Sequence, residues 1–104
     1  MPYFVYILKS EVDGDYYKGS SENPHLRLKQ HNNGEADFTS TKMLWKLVFL
    51  EMFDLKRDAL VREKQIKRWN RTSIENLIKS SANLFNQPFF DFGSFEKNYL
   101  GESM

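Results

Sequence analysis

With 104 residues, 40% of them hydrophobic and 15% aromatic, the chain is long enough for one compact domain and too apolar to be intrinsically disordered. It lacks cysteine, which excludes disulfides and thiolate metal sites, and no apolar run approaches the roughly 18 residues of a membrane span; a cytoplasmic protein without membrane association is expected. The formal charge of +1 hides an asymmetry, because residues 1–80 carry 14 Lys and Arg against 11 Asp and Glu, and residues 81–104 carry one against three.

Residues 3–10 read as a strand apolar on both faces, suited to the middle of a sheet. Asp13-Gly14 is a two-residue hairpin signal, and Asp15 to about Ser20 return antiparallel. With residues 13 and 14 as the loop, Ser10 faces Tyr17 and Leu8 faces Gly19. Tyr6, Leu8, Tyr17 and Gly19 then share one face. In that register Tyr6 and Tyr17 stand roughly 13 Å apart along the sheet, with Gly19 leaving a gap for a close backbone approach. Strand tyrosines taken alone more often pack than react.

Asn23-Pro24 has the form of an N-cap followed by proline at the first helical position, opening a helix that runs to about Asn33 before Gly34. Arg27 and His31, spaced i, i+4, share a face of it. An arginine fork suits phosphate oxygens, and a histidine beside it can donate to the same phosphate or take a proton from water. The blander reading is a surface arginine and a histidine complementing the helix dipole. A polar loop over 35–42, containing Thr39-Ser40-Thr41, leads to a third strand from Leu44 to Glu51.

Asp54 is expected to cap a long helix through about Asn70, and Thr72 or Ser73 to open a short one ending near Lys79. Measured from Leu55, Ile66 falls at about 20°, Asn70 at about 60° and Glu63 at about 80°, so a carboxylate and an amide border the apolar stripe. A carboxylate there needs a partner. Either an arginine or a divalent cation taking oxygen ligands would serve, with Glu51 as the rival ligand. Seven cations lie within residues 56–71, Lys64, Lys67 and Arg68 among them, a pattern that favours polyanions or simply a solvated helix face.

These pieces in this order resemble the GIY-YIG nuclease domain in its small stand-alone bacterial form. The resemblance is carried by Val5-Tyr6-Ile7-Leu8, Tyr17-Lys18-Gly19-Ser20-Ser21, Arg27 through Asn32, Trp45-Lys46-Leu47-Val48 and Ala59 through Gln65, and it covers about residues 2–80. It implies an α+β fold, a three-stranded antiparallel sheet flanked by helices in the order β-β-α-β-α-α. It also implies a structure-selective DNA endonuclease, RNA remaining open as a substrate, with a single Mg2+ or Mn2+ and a place in DNA repair. Carried over, Glu63 holds the metal, Arg27 stabilises charge on the phosphorane, Tyr17 activates water, Tyr6 positions water or phosphate and His31 assists proton transfer. Gly19, Ser20, Arg27, Lys64, Lys67, Arg68 and Asn70 are the expected nucleic-acid contacts. The chain departs from the family pattern in having Val5 for glycine in the first motif, Lys18 for an aliphatic residue in the second, and Ser20 where several relatives have lysine. The alternative reading is a nucleic-acid-binding module with little catalysis. Residues 81–104, outside the resemblance, form an aromatic extension (Phe85, Phe89, Phe90, Phe92, Phe95, Tyr99) expected to pack in cis, with a homodimer contact or disorder as the alternatives.

Overall fold

The computed structural model describes residues 2–35, 42, 44–88 and 90–91. Strands β1 (Tyr3–Ser10), β2 (Tyr16–Ser21) and β3 (Trp45–Phe53) form one antiparallel sheet in the order β2-β1-β3, with helices α1 (Pro24–Asn32), α2 (Lys56–Ile66) and α3 (Arg71–Lys79) around it. The fold class is α+β, as expected. The Thr39-Ser40-Thr41 loop and Phe89, Phe92, Phe95 and Tyr99 lie outside the described residues.

The doubly apolar sequence of β1 is explained by its central place. Phe4, Val5, Tyr6, Ile7 and Leu8 are all buried. Phe4, Tyr6 and Leu8 join Trp45 and Leu50 in a cluster on one sheet face, against which Tyr17 and Leu28 of α1 pack. Val5 and Ile7 face the other way, onto Ala59 and Ile66 of α2 and Ile74 and Leu77 of α3. Between Ile7 and Leu8 the pairing steps from Phe49 to Leu47, so Val48 is an extra residue in β3. That bulge returns Leu47 and Trp45 to the α1 face.

The hairpin register differs from the expected one. Tyr6 pairs with Gly19 and Leu8 with Tyr17, a slip of two residues. Residues 13 and 14 are not the whole loop. Ser10 N donates to Asp15 O (2.8 Å) and Gly14 N to Ser10 O (2.9 Å), while Ser10 Oγ accepts from Val12 N at 3.1 Å. Gly14 takes φ of +78°, a value glycine adopts without strain. Lys42 fastens this longer turn through Asp13 (2.6 Å) and Asp15 (2.9 Å). Because side chains alternate with a period of two, an even slip preserves the faces and changes only the distances.

Asn23 caps α1 as expected, its side chain accepting from Leu26 N at 3.0 Å, and Gly34 follows at φ +76°. In α2 the cap position is Leu55, with no side-chain bond, so Asp54 does not cap. The helix stops at Ile66, short of Asn70. Asn70 is instead the N-cap of α3, its Oδ1 accepting from Ser73 N at 2.8 Å. An asparagine side chain that reaches a backbone amide three residues on offers the chain a fresh helix start.

Residues 81–88 and 90–91 continue into the body of the fold. Buried Asn83 accepts from Leu50 N (3.2 Å) and donates to Val48 O (2.9 Å) and Ile78 O (2.9 Å), satisfying part of the β3 edge. Leu84, Phe85 and Phe90 pack against the Tyr6 cluster, Phe85 and Phe90 edge to face at 5.7 Å.

Candidate active site

The two-residue slip turns a groove into a cluster. Tyr6 and Tyr17 lie with ring centroids 6.4 Å apart rather than at opposite ends of a sheet face. Nor is Gly19 an open gap. A Cβ there would sit 2.7 Å from Tyr6 Oη and 3.2 Å from Tyr17 Cε2, so the Tyr6 phenol already fills the space that the glycine leaves. Position 19 needs glycine because of a neighbour, not because of its own backbone.

Tyr6 is almost fully buried, and burial pushes its phenol up to about 12, despite the relief of a hydrogen bond from Arg27. It therefore keeps its proton throughout the physiological range. The contact is mutual, since the bond to Tyr6, above all, raises the Arg27 guanidinium pKa, with Tyr17 adding to it. Arg27 Nη1 also donates to Gln30 Oε1 at 2.5 Å, one helical turn on. This orienting glutamine, absent from the expected set, was open to discovery through its i, i+3 spacing.

His31 is buried, its ring 4.5 Å from that of Tyr17 and inclined at 55°. Burial first, and the Arg27 charge second, lower its pKa, which keeps the imidazole neutral near pH 7. Trp45 lies edge-on to Tyr17 at 6.4 Å. Asn32 holds that part of β3 in place, accepting from Trp45 N (2.6 Å) and donating to Trp45 O (3.0 Å).

Glu63 approaches from α2, close enough to Tyr6 for its charge to contribute to the raised phenol pKa. Its side chain is 16% exposed. Ser20 Oγ donates to Oε1 at 2.5 Å and Lys67 Nζ stands 2.8 Å from Oε2. Two residues expected on nucleic acid thus engage the proposed metal ligand. The bond to Glu63, chiefly, lifts the Lys67 pKa, with Tyr17 contributing a smaller electrostatic pull. Glu51, the rival ligand, is tied to Arg62 at 2.9 Å. Lys64 on α2 and Arg68, just beyond its end, are exposed. Asn70, engaged in capping α3, does not extend the α2 stripe next to Glu63.

The sequence pattern of the GIY-YIG catalytic domain matches residues 2–77. The chain belongs to the GIY-YIG family. Among its relatives are UPF0213 proteins of Staphylococcus aureus, 38% identical over 78 residues, spanning 74% of this chain and 94% of theirs. A UPF0213 protein of Staphylococcus saprophyticus is 39% identical over 77 residues, 73% of this chain and 93% of its own. The solution NMR structure of a UPF0213 protein from Bacillus halodurans shares 30% identity over 79% of this chain and 87% of that one, with a TM-score of 0.52. Membership of the GIY-YIG family implies nuclease chemistry and a nucleic-acid substrate; the UPF0213 name carries no statement of activity. Among the described residues no helix is long and apolar enough to cross a membrane.

Among the described residues no three His, Cys, Asp or Glu side chains gather as a metal cage. The donors beside the tyrosines are one carboxylate and one hydroxyl, both hard oxygen groups. That set fits Mg2+, which keeps several waters and shares its site with substrate phosphate.

Proposed function

We propose that this GIY-YIG protein is a divalent-metal-dependent endonuclease that hydrolyses a phosphodiester bond in structured DNA. The observation that carries the reading is the convergence of Tyr6, Tyr17, Arg27 and Glu63 around the Gly19 contact. Glu63 would hold Mg2+ or Mn2+, which when bound supplies positive charge to the phosphate and to the departing oxygen. Tyr17 takes the proton of the attacking water. Arg27 meets the negative charge that grows on the phosphorane oxygens, already aimed by Gln30 and Tyr6. Tyr6, protonated, orients Arg27 and the water, and neutral His31 holds the Tyr17 ring in place. The exposed cations Lys64 and Arg68 contact the phosphate backbone without reading bases.

A binding module with little catalysis is the second reading. The Lys67 ammonium favours it, because it neutralises Glu63 at 2.8 Å. A panel of duplex, flap, branched and single-stranded DNA, with RNA counterparts, in Mg2+ or Mn2+ separates the two. The nuclease reading expects nicking that falls at least 100-fold in Glu63→Ala and in Arg27→Ala, while DNA binding by Glu63→Ala persists. Wild-type protein inert on every substrate with either metal would leave only the binding module.

A further inference from the structure

On the sheet face opposite Tyr6 and Tyr17 lies a concentration of positive charge that the nuclease reading leaves unused. Lys9 and Lys46 are directly opposed in the β1–β3 ladder, and both are exposed. Like charges in that position are unfavourable, and an anion set between them would remove the penalty. Beside them is a depression of about 400 Å³, floored by Val48 and Ile78, walled by Tyr16 and rimmed by Lys9 and Lys79. It adjoins a second depression, about 530 Å³, that shares Lys9 and Val48 and is bordered by Lys46.

The nearby acids do not cancel this charge. Arg71 holds Glu75 at 3.2 Å, reaches the Gly14 carbonyl at 3.0 Å, and lies 4.9 Å from the centre of the Tyr16 ring. Asp13 and Asp15 are paired with Lys42. Among the described residues that line the two depressions, Glu11 is then the acid left beside Lys9 and Lys46. An apolar floor with an aromatic wall suits a flat nucleobase, and a lysine rim suits the phosphates on either side of it. A fully paired duplex keeps its base faces stacked inside and shows only base edges in its grooves, so it offers no base face to such a recess.

We propose that this recess binds an unpaired nucleotide of a nucleic-acid strand, its base against Val48, Ile78 and Tyr16 and its phosphates on Lys9, Lys46 and Lys79. The inference deepens the nuclease reading by giving the substrate a single-stranded segment that passes to the face opposite Tyr17.

Fluorescence anisotropy with a labelled eight-residue oligothymidine, a blunt duplex of equal length and thymidine monophosphate as competitor tests it on the full chain. Wild type is expected to bind the oligonucleotide at least tenfold more tightly than the duplex. Lys9→Ala/Lys46→Ala should weaken oligonucleotide binding about tenfold and reduce the slope against log salt by about 1.4, two single-strand phosphate contacts. Both lysines are exposed, so a thermal melt close to that of wild type should accompany the loss. The proposal is overturned by unchanged affinity and slope in the double variant, by preference for the duplex, or by displacement of the strand at equal concentration of the monophosphate. Absence of metal-dependent cleavage alongside the expected oligonucleotide binding would remove the nuclease reading and leave this site standing.

Discussion

Gly19 shows how much of the site rests on one missing methyl group. An alanine Cβ would meet the Tyr6 phenol at 2.7 Å, and the phenol cannot withdraw readily from a buried cluster. Gly19→Ala should therefore lower stability by about 1–3 kcal/mol, the usual cost of overpacking. Because the displaced phenol also aims Arg27, nicking should fall further than stability explains; urea unfolding and nicking rate together separate the two. Lys67 works in the opposite direction. Its ammonium competes with any cation for Glu63, so Lys67→Met should lower the Mg2+ concentration needed for half-maximal metal binding, read from metal-dependent Tm shifts. An unchanged or raised midpoint would show that the ion pair is no competitor.

At the scale of elements, the β3 edge depends on a residue outside the family match. Asn83 makes three bonds to β3 and α3 that no apolar side chain could replace. Asn83→Ala leaves Leu50 N and Val48 O needing partners in a buried setting, and a loss of about 2–3 kcal/mol follows. For a domain of this size that is a fall in Tm of about 10 °C or more, checked by thermal melting. Asp54 and Asn70 are both of types that favour caps, yet Asn70 caps α3 while Leu55 holds the cap position of α2.

Over the whole molecule, buried His31 couples folding to pH. Its folded pKa lies below the ordinary 6.5, so the unfolded chain takes up the proton first. Stability is then full above about pH 6.5 and declines as the pH falls from there towards the folded pKa. Urea midpoints measured between pH 8 and 5 should show that decline in wild type and a shallower one in His31→Asn; parallel slopes would exclude His31 as the cause. Sequence alone determined the order of the elements, the α+β class, and the sharing of one face by Tyr6, Tyr17 and Gly19, because local periodicity and caps act over a few residues. It also singled out Arg27, His31 and Glu63, whose spacing along their helices is local. Only the tertiary structure decided that the tyrosines are 6.4 Å apart, that Ser20 attends Glu63, and that Gly19 yields to a phenol. Those facts depend on the number of residues in a turn and on the packing of α2 beside β2, contacts between residues far apart in the chain that no local pattern records.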